Sequence, residues 1–556
     1  MDYHVHIIVA VFVGLLAHNA IFIRGEWHMH ILQILVGVCL VNVIALYSLY
    51  RVVRVPSFSE ALGALFYMDI ACLTALFSSM TVYRLFFHKL SGFPGPKLAA
   101  VTKLWHVWKI RKSTNYLLLQ ELNGEYGDII RTGSPDFTLN TAGPNELTLV
   151  GPSAFNLLDG WGNTTTRDVW YDLLRPRYSA VFCRDKKLHK EGRKAWVNSM
   201  TGQAMNAFYP RVAALSHSLS SCIRSHGTRP VDVDDVMSWF SFDVMGDVLF
   251  GEDFNLLRSQ IMDPAIKHRD GALALVGPIS DAIWIAHLAF LLVPFLNPVQ
   301  DWLGMVKFCE DRLAARIQRG ENEKKPDMAQ YFLDEHQSLD GTMSLRDRDL
   351  YLAGNIITAV VAGSDTTRAA LIATCWFLAK YPEHADAIRA ETRDVDGDDF
   401  ATLASLPHLN GFINESLRLM PPAGMTGTAR ITGPQGMQFE NTYIPPFTKV
   451  TAPRYGIMRL ESAFPRPDEF IPERWYSQPE LVLDRRAFTP FSVGPRQCTG
   501  KTLAYAELRH VATLLLRHYD IEFADGYDPE TMWRDLKDQV TAQPGKVLCV
   551  FKPREQ

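Results

Sequence analysis

No CxxC pair and no regular spacing occur among the eight cysteines (Cys39, Cys72, Cys183, Cys222, Cys309, Cys375, Cys498 and Cys549), which excludes a disulfide framework and a zinc module. Positive charge is not in excess either. With 56 Lys and Arg against 60 Asp and Glu, the formal net charge is −4, so no basic field points to a nucleic acid partner. From about residue 98 onward the chain lacks internal repeats, low-complexity tracts and long linkers, which argues against a solenoid or a string of small modules. Disorder is excluded as well, because 47 % of the 556 residues are hydrophobic and 21 % charged. That leaves one large domain plus something extra.

What is abundant at the front is apolar sequence. Three runs, His6 to Ile23, Ile31 to Tyr50 and Leu62 to Phe87, each approach the ~20 residues that span a bilayer. The second carries no charge, the first carries His18 and Asn19, and the third carries Asp69. Met1-Asp2-Tyr3 lacks the basic start of a cleaved signal peptide, so residues 1–89 read as a retained membrane anchor of two or three spans. Residues 90–97 contain Gly92-Phe93-Pro94-Gly95-Pro96, which forbids helix continuation and reads as a hinge. Arg84, His88, Lys89, Lys103, Lys109, Arg111 and Lys112 put the remainder, residues 98–556, on the cytoplasmic face by the positive-inside rule. Arg51 and Arg54 weigh the other way if all three runs cross.

Helical periodicity dominates up to about residue 420, so the fold class is mostly α with small β-sheets. Ser344 is placed as the N-cap of a helix running to Tyr381, where Pro382 ends it. Ala429 to Thr432, Met437 to Phe439 and Lys449 to Thr451 read as strands, and Gly500 to Tyr519 as a last helix.

Cys498 stands in Phe491-Ser492-Val493-Gly494-Pro495-Arg496-Gln497-Cys498-Thr499-Gly500, a loop opening directly into that last helix. The positive end of the helix dipole favours a thiolate there, so Cys498 is poised as an anionic sulfur ligand. Gly494 permits a tight turn, Gly500 close approach to a flat cofactor, and Arg496 can neutralise an acid group on it.

The pattern Phe491-x-x-Gly494-x-Arg496-x-Cys498-x-Gly500 resembles the haem-binding signature of the cytochrome P450 superfamily. The resemblance implies a cytochrome P450 fold behind N-terminal transmembrane helices and a haem (iron protoporphyrin IX) whose iron is ligated by Cys498. Phe491 would lie beside the sulfur and Arg496 on a propionate. Ala362-Gly363-Ser364-Asp365-Thr366-Thr367, midway along the long helix, resembles the family's oxygen-activation motif. Gly363 would leave room over the haem for dioxygen, with a nearby hydroxyl opening the helix locally. Thr366 would donate a hydrogen bond to the oxygen being activated, and Asp365 would relay protons. Glu415-Ser416-Leu417-Arg418 with Pro472-Glu473-Arg474-Trp475 resembles the structural triad of Glu415, Arg418 and Arg474. By position, His189, Arg193 and Arg430 match propionate contacts. Asn163-Thr164-Thr165 and Asn414-Glu415-Ser416 match glycosylation acceptors but fall in the part assigned to the cytoplasm.

The resemblance further implies a monooxygenase of the endoplasmic reticulum, using O2 and electrons from NADPH–cytochrome P450 reductase to oxidise a hydrophobic small molecule drawn from membrane lipid. The N-terminal phrase His18 to Glu26 and Arg184 to His189 look similar to fungal secondary-metabolism members of the tryprostatin B 6-hydroxylase-like group, which points to a terpenoid or indole alkaloid. Haem-thiolate isomerases and dehydratases usually depart from the Asp365-Thr366 pair, and a membrane haem protein that only binds a ligand would need neither residue. Pocket-lining segments are expected between Asp159 and Tyr178, at Ala359 and Ala362, and from Ala423 to Thr428.

Overall fold

The computed structural model describes residues 4–22, 30–132, 145–279, 282–321 and 325–554; Met1-Asp2-Tyr3, Ile23 and Arg24-Gly25-Glu26 lie outside these. Three N-terminal helices, His4–Phe22, Ile31–Val52 and Phe58–Phe87, are each long and apolar enough to cross a membrane. The third starts before its apolar run because Ser57 caps it: the Ser57 hydroxyl accepts from the Glu60 N–H at 3.2 Å and donates to the Glu60 carboxylate at 3.2 Å. Helices one and three pack together. His18 Nδ1 meets Ser79 Oγ at 2.8 Å, and a Cβ on Gly14 would lie 2.2 Å from the Cys72 carbonyl. The contacts advance along both helices in the same sense, so these two run the same way, and Ile31–Val52 lies between them in sequence. Its α-helical part, Ile31–Tyr47, buries no residue, which for so apolar a helix leaves lipid as the medium that suits it.

The segment expected to be a hinge is docked on the large domain. Leu90 is fully buried, the Arg131 N–H donates to Pro94 O at 2.6 Å, and Lys89 Nζ donates to Pro446 O at 2.5 Å.

In that domain the 36-residue helix Leu345–Lys380 is the axis. The Ser344 hydroxyl accepts from the Asp347 N–H at 3.2 Å, and Pro382 begins the next helix. Although long and apolar enough to cross a membrane, this helix is mostly buried in protein. It packs against Val233–Phe250 and Lys501–His518, in a core that includes Phe240, Leu371, Trp376, Phe377, Leu508 and Leu515. A five-stranded sheet covers one side in the order Ile129–Arg131, Glu146–Leu149, Lys449–Thr451, Arg430–Ile431, Thr166–Arg167. Its register sets Arg167 opposite Arg430 and Arg430 opposite Val450. The strand expected over Ala429 to Thr432 is only Arg430–Ile431, because the Thr432 hydroxyl takes the Thr448 N–H at 2.8 Å where the ladder would continue. All eight cysteines are free thiols.

Candidate active site

Cys498 is held by a turn that only glycine can make. At Gly494 the backbone is left-handed (φ +71°), and a Cβ would lie 1.9 Å from the Asp159 carbonyl. The Cys498 N–H closes the loop on Phe491 O at 2.8 Å. Sγ faces a cavity of about 500 Å³ between the start of Lys501–His518 and the long helix. Burial holds the Cys498 thiol above its ordinary value, against the thiolate expected from the helix start; the Gly500 N–H, the Arg193 guanidinium and the Lys501 N–H offset only part of that rise. A Cβ on Gly500 would have only Cys498 Sγ within reach, at 3.9 Å, so the floor beside the sulfur is flat and open. Phe491 packs beside it on Tyr505, ring centroids 5.0 Å apart.

Across the cavity stand Ala362, Gly363 and Thr366. The Thr366 hydroxyl donates to Ala362 O at 2.7 Å, yet the helix runs unbroken, so the expected local opening is not seen. Gly363 also differs from expectation. Its missing Cβ would fall 2.3 Å from Met245 Sδ, so the space expected for dioxygen is taken at that point by the Met245 side chain.

Asp365 does not face the cavity. Fully buried behind the helix, its carboxylate meets Arg269 Nε at 3.4 Å and Arg368 Nη2 at 3.0 Å, and accepts from Gln543 Nε2 at 2.9 Å and from the Thr541 hydroxyl. Against the cost of burial, Arg269 and Arg368 hold it below the usual carboxylate range, so it is ionised at neutral pH. Arg368 continues to Asp234, and Arg269 Nη2 to Asp270 at 2.7 Å, both partly exposed acids. Arg269 and Thr541 line the cavity. Asp365 thus stands between surface carboxylates and two cavity-wall groups.

One corner of the cavity is crowded with cations. Arg496 donates to Cys183 O at 3.1 Å, and Arg193 to Gln497 O at 2.8 Å. Burial, then the Arg496 and Arg167 guanidiniums, push His189 down to about 3, so it is neutral and can offer a hydrogen bond but no charge. Arg430 is already committed: its fork holds Asp159 at 2.6 and 2.5 Å, with Nη1 on Tyr171 OH at 3.0 Å. Arg167, absent from the sequence reading, lies opposite it over the Tyr171 ring at 3.9 Å. Its Nε and Nη1 are buried without a hydrogen-bond partner among the described residues. Burial, with Arg496 and Arg430 nearby, pushes it down to about 9. No motif marked it; the register of a two-residue strand puts it there.

Glu415, Arg418 and Arg474 are fully buried together. Glu415 receives Arg418 Nη2 at 2.8 Å and Arg474 Nε at 2.9 Å. The sequence reading missed its two other donors, Trp475 Nε1 at 2.9 Å and the Ile471 N–H at 3.1 Å, which complete its hydrogen bonding. In the glycosylation-like triplets, Asn414 Oδ1 accepts from Tyr505 OH at 2.7 Å and Asn163 Nδ2 donates to Gly160 O at 2.7 Å.

Residues 94–550 match the family model "Cytochrome P450". The chain belongs to the cytochrome P450 family. It is 32 % identical over 97 % of its length to a cytochrome P450 monooxygenase of Fusarium pseudograminearum, covering 96 % of that protein. To tryprostatin B 6-hydroxylase of Aspergillus fumigatus it is 30 % identical, over 84 % of this chain and 81 % of that one. The crystal structure of the cytochrome P450DA haem domain shares the fold, with TM-score 0.65 and 17 % identity over 83 % of this chain and 98 % of that one.

Cytochrome P450s are haem-thiolate proteins, and this cavity fits that cofactor. It offers a cysteine sulfur at a helix start, an open glycine floor beside it, and a buried guanidinium with unmet donors that could take an acid group of the cofactor. The wall of the P450 cavity contains the expected Trp170, Tyr171 and Leu173, then Ala359 and Ala362, then Ala423, Gly424 and Thr426 to Thr428. Met425 is the exception in the last segment, buried in the main core instead. Phe182, Leu273, Trp302 and Val540 also line it. Val540 is the single residue between paired strands Lys537–Gln539 and Thr541–Gln543, in a left-handed backbone (φ +73°) rare for a β-branched side chain.

Proposed function

We propose that this haem-thiolate monooxygenase hydroxylates an apolar fungal secondary metabolite of indole-alkaloid or terpenoid type. Its electrons come from NADPH–cytochrome P450 reductase at the endoplasmic reticulum membrane. The observation that carries the reading is a cavity joining Cys498 on one side to Thr366 on the other, with apolar aromatic walls in between. Similarity to a protein named for hydroxylating tryprostatin B favours the indole class.

Bound haem supplies the oxygen chemistry. The chain does the rest. Cys498 gives it an anionic sulfur, and Arg167, Arg193 and Arg496, with neutral His189, hold its carboxylates. Arg430, neutralised by Asp159, braces that corner. Phe491 shields the sulfur, and Gly500 lets the helix start approach. Thr366 offers a hydroxyl at the site of oxygen binding, and Asp365 holds a proton path behind it, linked to the cavity by the Thr541 hydroxyl. Glu415, Arg418 and Arg474 serve folding and haem retention. The intact Asp365-Thr366 pair favours this reading over a haem-thiolate isomerase or dehydratase.

In this reading residues 1–89 anchor the chain through three spans, 90–97 connect, and 98–556 form the catalytic domain on the cytoplasmic face. The same-way packing of the first and third helices supports three. Expression in microsomes with reductase, offered indole-alkaloid and terpenoid intermediates, tests the activity. An oxygenated product by mass spectrometry and substrate-dependent NADPH consumption are expected. Consumption indifferent to every compound would overturn it. Protease protection of the region after Phe93 in sealed microsomes would overturn the orientation.

A further inference from the structure

On the surface away from the cavity, His217 of helix Gly202–Ser225, Asp398 of the turn before Phe400, and His510 of helix Lys501–His518 converge. His510 Nε2 donates to Asp398 Oδ1 at 2.8 Å, and His217 Nε2 to the same oxygen at 3.3 Å. All three ligand atoms lie within 4.8 Å of one another. His510 is buried and its ring is stacked on Phe400 (5.0 Å, 11°), while His217 and Asp398 are half exposed, so the group is anchored at its base and open to solvent. We propose that His217, Asp398 and His510 form a binding site for a zinc-like divalent transition metal.

The geometry favours this over a plain ion pair. Tetrahedral zinc with bonds of about 2.0–2.1 Å sets its ligand atoms about 3.3 Å apart; His217 Nε2 already stands 3.3 Å from Asp398 Oδ1, and His510 Nε2, at 2.8 Å, would draw back slightly to admit the ion. With a metal on each Nε2, the ring proton of each imidazole moves to Nδ1, so both imidazoles bind neutral. On His510 the proton would move to Nδ1, which is buried without an acceptor among the described residues. Only an ion with a strong imidazole bond offsets that loss, which selects zinc, copper or nickel and rejects the oxygen-seeking magnesium and calcium. The cation that bears on the group is Arg517, from the same helix as His510; His518 of that helix stands near His217 and is pushed toward its neutral form by burial. Arg517 is tied to the turn's backbone by its bonds to Thr392 O and Val395 O, at 3.2 and 2.7 Å. The remaining places around the ion would hold water. A second histidine pair, His384 and His408 with Glu473, is a poorer match: its ligand atoms stand 3.7 and 4.0 Å from the carboxylate, and His408 Nδ1 is engaged by Tyr476 OH at 2.8 Å.

The helix that carries His510 begins shortly after Cys498, so an ion here would fasten the haem-bearing helix to its neighbour. Zinc chloride titrated into the full-length holoenzyme, followed by calorimetry and thermal unfolding at the Soret band, tests the site. One equivalent is expected, with a raised unfolding temperature. His217→Ala and Asp398→Asn are both surface changes and should weaken zinc at least about tenfold, since losing even an outer partner of a zinc ligand costs about 10–100-fold. His384→Ala should leave it unchanged. Magnesium should give no signal. Absence of zinc binding, or binding equal in wild type and His217→Ala, would overturn the proposal, and neither result depends on finding the substrate.

Discussion

Arg167 and Arg430 face each other across antiparallel strands and share the Tyr171 ring, yet among the described residues only Arg430 is in contact with a carboxylate, Asp159. Two buried guanidiniums with one acid between them leave a surplus positive charge at the cavity wall. In the function proposed above, haem carboxylates would balance it. Arg167→Gln is therefore expected to speed haem loss and lower the haem content of purified protein, while leaving the apoprotein as stable or more so, because a like-charge contact is removed. Arg430→Gln should instead weaken the apoprotein itself, leaving Asp159 buried and unpaired at a cost of ~3–5 kcal/mol. Haem content and denaturant midpoint, measured on both variants, separate the two.

Asp365 and Thr366 are adjacent in sequence and face different ways, one into an ionic cluster and the other into the cavity. Thr366→Ala removes a cavity hydroxyl that the proposed function places at the oxygen site, so NADPH should still be consumed while peroxide leaks and product yield falls. Thr541→Val removes the hydroxyl that joins Asp365 to the cavity wall, leaving only the ionic contact through Arg269. Oxygen consumption should then slow with coupling less affected, and Thr541→Ser should restore it. Such acid–base roles are worth ~10²–10⁴ in rate. Asp365→Asn is a less clean probe than its neighbour's position suggests, because Arg269 and Arg368 would both lose their shared charge.

The difference between those residues shows what a sequence can carry. That Cys498 and Thr366 share one cavity and that Glu415 meets Arg418 and Arg474 was legible from motif spacing, and the long helix because Ser344 and Pro382 bracket it. Arg167 was not, since its role arises from pairing with a strand far along the chain, and neither was the commitment of Arg430 to Asp159. Gly363 was recognised as special for the wrong neighbour: nothing local shows that Met245 fills its notch. Val540 likewise reaches the cavity only through a hairpin tip that no apolar pattern marks.

Gly363→Ala tests that packing. The added methyl meets Met245 Sδ, and overpacking of this kind costs ~1–3 kcal/mol. The variant should unfold at lower denaturant, and adding Met245→Ala should recover part of the loss. No recovery would mean that the helices had moved apart elsewhere.

Glu415 accepts five hydrogen bonds, two from Arg418 and one each from Arg474, Trp475 and the Ile471 N–H. Glu415→Ala would strand two buried cations, at ~3–5 kcal/mol or more. Haem-free, aggregated protein is expected, with a soluble fraction recovered only on slow expression in the cold. Glu415→Gln should be nearly as damaging, since shape is kept but charge is not. Haem per chain and the soluble fraction, measured on both variants, check this.

Glu335, on helix Met328–Ser338, lies beneath Gly192 and near Tyr351, with Oε2 buried and unpartnered among the described residues. Burial pushes it up to about 8. In the unfolded chain a glutamate titrates near about 4.3, so the folded state binds the proton more tightly. The group therefore costs nothing below about pH 4.3, stability falls as pH rises toward 8, and the loss levels off above that, with a slope of at most about 1.4 kcal/mol per pH unit. Glu507, likewise pushed to about 8 by burial, adds a loss of the same sign. Glu335→Gln should thus be more stable than wild type at pH 8 and nearly equal to it at pH 4.5, with a slope shallower by one proton but not flat. Urea midpoints at pH 5, 7 and 9 check this; parallel curves for the two proteins would mean that Glu335 is ionised in the fold, with a partner outside the described residues.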